Sequence, residues 1–468
     1  MNRLCHPSTR HHSDKKDGPV KYVDRAEFPI SVHKARNAFR VAIVCWLISC
    51  AGYAPAQAQP SSKTKPVTKP AGKTVPKAAL EKFEQPDPDK LPPGFQPAPE
   101  PLAIMDLDQP LATTDELAKL KKEVVSKFTK TLRDCDLSST GKQVIETGVR
   151  YRLAEMTLKE KRKELPDLHK ALIRDITTGI GNPGIKPADV ASMVQFVNQE
   201  LVKQMPQLLV NNFYVRLHAV LILSELDYAP SHALLLQVIQ SKEIQEDPVL
   251  GQPSAIKIAA TQGLTRILKY ASPPVAQRTI IAHALVDELQ KPNTHWWYQL
   301  RLIEALRHMT VAVDAGNNKP FVIDQLLALI NDRERPWTVR SKACFAIGRV
   351  PIPAAVKPED VVNTVADFAL QLSTAAQAKP NDQVWKSCVW DVYLAFKADG
   401  SKDKDGKDKD QDAERKGAGG LLARIKPVAQ PAYDRIVPIV RDVIHGKSPD
   451  AGDVKNLGDF VRERVPQK

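Results

Sequence analysis

Apolar residues between positions 187 and 397 fall into a pattern that returns five times. Lines starting at Val215, Ile256, Tyr298, Val339 and Val384 are separated by 41, 42, 41 and 45 residues. Counting each start as zero, apolar or small residues recur at +4, +7, +8 and +11. At 100° per residue these positions share one helix face within roughly 100°, which predicts a buried stripe. Small residues dominate +4 (Ala219, Ala260, Ala343 and Cys388, with Leu302 the larger exception), where neighbouring helices must come close. Position +8 is Leu223, Leu264, Leu306, Ile347 and Val392, and Asp391 breaks the pattern at +7 of the last line.

Second apolar segments lie between these lines, at Ala233–Ile239, Val275–Leu289, Phe321–Ile330 and Val361–Leu372. Each follows a proline: Pro230, Pro273-Pro274, Pro320 and Pro358. Proline suits the first turn of a helix and disrupts its interior. Each period therefore predicts two helices, the first opened by proline and the second bearing the motif. A period near 41 residues is the mark of stacked repeats rather than of one closed core.

The clearest line runs from Pro336 to Val350: Pro336, Val339-Arg340, Ala343, Ala346-Ile347-Gly348, then Val350. It resembles the HEAT-repeat family, whose pattern is Pro-x-x-Val-Arg, Ala at +4, Ala-Leu-Gly at +7 to +9 and an apolar residue at +11. The line at Val215 keeps Arg216, Ala219 and Leu223. The line at Ile256 has Lys257 in the Arg place, while those at Tyr298 and Val384 depart, with Gln299 and Trp385 there. The resemblance covers 187–397 and implies an all-α fold, a right-handed α-solenoid of helix pairs. It also implies that the basic ladder Arg216, Lys257, Arg340 is structural, each side chain bonding an acid near the turn of an adjacent repeat, such as Asp247 or Asp332. A polyanion groove, with Arg301 and Lys386 displaced from the ladder, is the competing expectation.

Flanking segments complete the organisation. Residues 1–58 read as a signal peptide with a long n-region: Lys34, Arg36 and Arg40, the apolar run 41–49, and an A-x-A site at 56–58 that places cleavage between Ala58 and Gln59. Leu47-Ile48-Ser49-Cys50 offers a rival, lipidation at Cys50. Export predicts a periplasmic or extracellular protein without a permanent membrane span. Residues 59–112, rich in Pro and Lys, predict a disordered linker able to rest on an anionic polymer. Residues 113–186 predict an N-terminal helical cap, opened near Thr114 and interrupted at Pro166. Residues 398–420, rich in Lys and Asp, predict a disordered loop, and 421–468 a C-terminal helical cap.

The formal net charge is +13. Nine Lys/Arg and four Asp/Glu lie in 1–58, so about +8 remains after cleavage, too little for a dedicated nucleic-acid binder. After cleavage three cysteines remain, Cys135, Cys344 and Cys388. Cys344 and Cys388, on adjacent motif helices, read as small buried residues or as a pair in an oxidising compartment. The sequence contains no C-x-x-C, H-E-x-x-H, G-x-S-x-G or G-x-G-x-x-G, and its histidines lack metal spacing. Asp403, Asp405 and Asp412 fit a calcium loop poorly because lysines alternate with them. No catalytic, cofactor or metal residues are therefore expected.

Five of six tryptophans lie between 296 and 390: Trp296, Trp297, Trp337, Trp385 and Trp390. With Arg301 and Arg340 they make the candidate partner surface, against the plainer expectation of packing at helix starts. The expected function is an exported, non-catalytic scaffold for an unknown protein partner in the cell envelope. The alternatives are an anionic wall-polymer binder or a HEAT-like enzyme of the DNA-base glycosylase or bilin lyase type, with Trp296, Trp297, Arg301 and Arg340 at its site.

Overall fold

The computed structural model describes residues 103–464 except 106, 245, 248–249, 292–293, 312, 315–317, 381 and 398–418. Ala58, Gln59, Cys50, the first 44 residues of the expected linker and nearly all of the Lys/Asp-rich loop lie outside the described residues. Those described are all-helical, with no strand among them.

The helices are α1 (Thr114–Asp134), α2 (Ser139–Met156), α3 (Leu165–Thr177), α4 (Pro187–Gln204), α5 (Phe213–Glu225), α6 (His232–Gln240), α7 (Ser254–Arg266), α8 (Val275–Gln290), α9 (Trp296–Leu306), α10 (Phe321–Asn331), α11 (Trp337–Ile347), α12 (Pro358–Ala378), α13 (Val384–Phe396), α14 (Leu421–Ile444) and α15 (Ala451–Arg464). The proline-opened segments are α6, α8, α10 and α12, and the motif lines are α5, α7, α9, α11 and α13. Pro274 and Pro320 stand at the N-caps of α8 and α10, and Pro358 is the first residue of α12.

Packing runs in two rows. Motif helices follow one another in the order α5, α7, α9, α11, α13, with α3 before them and α14 after them in the same row, while α6, α8, α10 and α12 form the second row. Rungs α6–α7, α8–α9, α10–α11 and α12–α13 join the rows. The core between them is one continuous apolar cluster from Val124 to Val461. Positions +4 and +8 of all five lines are buried in it. In the last line Val384 is only half-buried, and Trp385 takes the buried place one residue on.

The ladder at +1 is wholly internal. Arg216 donates from Nε to the Asn211 carbonyl and from Nη1 to that of Gly251 at 3.0 Å. Lys257 Nζ meets the Ser241 carbonyl at 2.7 Å, Glu243 Oε1 at 2.7 Å and Glu288 Oε2 at 4.0 Å. Gln299 donates to the Thr294 carbonyl at 2.5 Å. Arg340 donates to the Ile330 carbonyl at 2.9 Å and to Gln371 Oε1 at 2.7 Å. Burial lowers the pKa of both Arg216 and Arg340. Backbone carbonyls accept from all three basic side chains, and acids stand beside them as well: the charge of Asp247 acts on Arg216 and that of Asp332 on Arg340, although the Asp332 carboxylate also accepts from Arg335 at 3.0 Å.

The ends differ from expectation in detail. Thr113, not Thr114, caps α1, in a capping box with Glu116. The chain breaks after Met156 through a short 3-10 turn, and Pro166 sits harmlessly in the first turn of α3. Residues 103–105 and 107–112 are not free linker: Ile104 is fully buried, and Asp108 binds Arg162 and Asn212, each at 2.8 Å. Cys344 and Cys388 are free buried thiols, and burial raises both, Cys388 to about 11. Among the described residues no helix is long and apolar enough to cross a membrane.

A histidine pair, His169 buried and His218 half-buried, joins α3 to α5. Nδ1 of His169 lies 3.2 Å from Nδ1 of His218, which requires at least one ring to be neutral. Burial lowers His169 to about 3, helped by His218 and Lys170, and lowers His218 to about 4. Glu225 Oε1 lies 3.6 Å from His169 Nε2. Unfolded histidines protonate near their ordinary value of about 6.5, so between there and about 4 the unfolded chain binds more protons. Stability is therefore expected to fall as pH drops through that window. Acid titration followed by helical circular dichroism should show the midpoint moving to lower pH in His169→Gln with His218→Gln; an unmoved midpoint would acquit the pair.

Candidate functional site

Helical geometry leaves one lateral face of the motif helices open. Positions +3, +6 and +10 lie within roughly 60° of one another and about 120° from the core stripe. On α9 and α11 the +3 residues are Arg301 and Lys342, and the +6 residues on α9, α11 and α13 are Glu304, Phe345 and Trp390. Arg266 follows at +10 of the α7 line and Arg349 at +10 of the α11 line, with Arg307 at +9 of the α9 line.

These columns build a bed of cations on aromatic rings. The Phe345 ring receives Arg307 at 5.0 Å, Lys342 at 5.4 Å and Arg349 at 5.0 Å. The Arg301 guanidinium lies 5.4 Å from the Trp297 ring. Such contacts are worth about 0.5–1 kcal/mol each at exposed sites. Between α9 and α11 is a cleft of about 200 Å³, lined by Trp297, Leu300, Arg301, Glu304, Arg307 and Lys342.

Two carboxylates partly balance these cations. Glu304 accepts from Arg301 Nη1 at 2.7 Å and stands 3.9 Å from Arg307 Nη2. Asp391 accepts from Lys342 Nζ at 2.7 Å and from Ser341 Oγ at 3.2 Å. Burial raises the pKa of Asp391, against the pull of Lys342. Arg301 Nε is buried and makes no hydrogen bond. Arg307 Nε lies 3.2 Å from Nε2 of His308, whose pKa burial lowers to about 4.

The bed continues toward the C-terminus. Trp390 stacks on Tyr393 at 5.1 Å with the planes 18° apart. Lys397 lies 5.8 Å from the Tyr393 ring and 5.4 Å from that of Tyr433, and its carbonyl accepts from Arg349 at 2.9 Å.

The seven expected surface residues separate into two groups. Trp297 and Arg301 line the cleft, Trp296 stands beside them at 41 % exposure, and Trp390 lies farther along at 46 %. Trp337, Trp385 and Arg340 form an internal cluster instead. Trp385 is 4 % exposed and donates from Nε1 to the Lys379 carbonyl at 2.7 Å. Trp337 packs on Phe368 at 5.9 Å and edge-to-face on Trp385 at 5.6 Å. Arg340, 2 % exposed, lies between the Trp337 and Phe368 rings at 5.1 and 4.7 Å. Trp385 and Arg340 are removed from the accessible surface and Trp337 is half-buried, because α12 brings Phe368 against the start of α11.

Arg307, Lys342, Phe345, Arg349, Tyr393 and Lys397 are not singled out by the sequence reading. Their signal is columnar, basic residues at +3 and +9 or +10 of successive lines. The face can hold anionic and apolar groups together. Among the described residues no group of three or more His, Cys, Asp or Glu is placed to hold a metal ion. Comparison with protein-family models, with curated proteins and with solved structures gives no match to this chain.

Proposed function

We propose that this chain is an exported, non-catalytic scaffold that binds a protein partner in the cell envelope. On this reading the two rows are a HEAT-like, right-handed α-solenoid with helical caps, preceded by a signal peptide and a disordered linker. The observation that supports it is the open face of α9, α11 and α13, where Trp390 stands exposed beside a cation-aromatic bed and Trp296, also exposed, borders it through Trp297 at 5.3 Å. Large aromatic and Arg side chains are the residue types that dominate protein-protein hot spots. A stack of helices presents them over an extended surface without needing a pocket for chemistry.

The test has two parts. The full chain, produced in a bacterial host, should appear in the envelope or medium with Gln59 as its first residue, or lipidated at Cys50. Crosslinking in the envelope fraction of the source cells should then trap a discrete partner. Retention of residues 1–58 on a cytoplasmic product, or a bait that traps nothing, would count against the scaffold.

A further inference from the structure

We propose that the bed on α9, α11 and α13 docks an extended acidic segment of the partner, with carboxylates about three residues apart and apolar side chains between them. This rests on the scaffold reading and names the chemistry that its face selects. Charge complementarity is the first argument. Arg301, Arg307, Lys342, Arg349 and Lys397 share the face, against the carboxylates of Glu304 and Asp391. Asp391 is 7 % exposed and already committed to Lys342 and Ser341. Glu304 is divided between two arginines, so the excess at the mouth of the cleft is positive. Three cations gathered on the single Phe345 ring repel one another, and an arriving carboxylate relieves that repulsion.

The second argument is size. A cleft of about 200 Å³ is smaller than the roughly 300–1,000 Å³ of small-molecule sites. It accommodates one side chain of a longer ligand. Trp297 and Leu300 form its apolar wall, and Arg301, Arg307 and Lys342 line the rest with Glu304.

Spacing is the third. Packed helices sit about 8–10 Å apart, so equivalent positions on α9, α11 and α13 repeat at that interval. An extended polyproline-type chain turns the same side outward every three residues, advancing about 9 Å. One acid thus meets Arg301 on α9 and the next, three residues on, meets Lys342 on α11, while apolar residues beside them reach Trp297 and the Trp390-Tyr393 stack. A phosphate polymer would use the cations but leave this aromatic lining without a role.

Fluorescence anisotropy of a labelled Glu-Leu-Pro repeat peptide titrated with the full chain tests the proposal. The peptide should bind, and Arg301→Glu or Lys342→Gln should weaken it roughly tenfold or more. Lys170→Glu, on exposed α3 surface, should leave it unchanged. Because Lys342 also neutralises Asp391, Arg301→Gln decides the matter if Lys342→Gln loses its helical signal. Unchanged affinity in the Arg301 variants, equal binding of a Lys-Leu-Pro peptide, or tighter binding of polyphosphate or duplex DNA would overturn the proposal. If a crosslinked envelope partner persists in Arg301→Glu, the scaffold reading survives and only the acidic docking mode fails. If the unaltered chain traps no partner, the scaffold reading itself fails, whatever the peptide does.

Discussion

Gly348→Ala should unfold the chain at a markedly lower urea concentration, with a stability loss of about 3 kcal/mol. Gly348 ends α11 in ordinary right-handed geometry, φ −64°, so no backbone strain demands a glycine here. The demand comes from contact. A Cβ added at this position would lie 2.3 Å from the Ala395 carbonyl oxygen and 2.6 Å from its Cα, both backbone atoms of α13. Neither can swing aside as a side-chain tip could, so α11 and α13 would have to separate. The end of α11 is also tied from α14, where Arg424 donates to the carbonyls of Ile347, Gly348 and Val350. Gly458→Ala on α15 is the matched control. Its Cβ would meet only Leu370 at ordinary contact distance, 3.7 Å. There alanine should stabilise by up to about 1 kcal/mol, because glycine is the poorer helix former. A Gly348→Ala midpoint equal to that of the unaltered protein would refute the close-approach argument.

Arg216→Leu should cost about as much, on the order of 3 kcal/mol, for a different reason. A hydrophobic replacement for a buried ion pair can be neutral when both partners are exchanged. Here Arg216 feels the charge of Asp247 but also donates to the backbone carbonyls of Asn211 and Gly251, which no substitution removes. Leucine would leave both buried without a donor and would leave a void beside them. Arg216→Gln should recover part of the loss, since Gln299 occupies the equivalent position in the α9 line and still reaches the Thr294 carbonyl. Urea denaturation of the pair orders them: equal losses for leucine and glutamine would show that packing, not the carbonyl bonds, sets the cost.

These two sites also show what a sequence of this kind discloses. The buried stripe at +4 and +8 is readable because burial on a helix imposes a period, and hydrophobicity records it directly. The internal role of Arg216, Lys257 and Arg340 is readable from their column, but their acceptors are not. Carbonyl oxygens belong to every residue and leave no trace in side-chain identity. Trp385 is misplaced in the linear reading for a reason of register. The last period is longer, α13 starts its buried stripe one residue later, and the tryptophan turns inward where Val384 was expected. Trp296 and Trp337 share position −2 yet differ in environment, because α12 supplies Phe368 against Trp337. Arg301 looks like a displaced ladder residue until the helix angle is drawn, when it falls on the open face with Lys342. The binding face escapes linear reading because it is assembled across three helices, each contributing one or two unremarkable basic residues.

The two-row order has a consequence for how the chain reaches its fold. From α5 to α13 each helix packs mainly against its immediate neighbour or the one two places along. Such pairings close short loops and can form early, anywhere along the stack. The longest reaches lie at the two ends. Asn211 holds the Gln109 carbonyl across 102 residues, Asn212 holds Asp108 across 104, and Asn363 reaches the Arg464 carbonyl across 101. Each latch must wait only for the helices it spans, α1–α4 at one end and α12–α15 at the other, so the two ends are the parts of the stack with the longest loops to close.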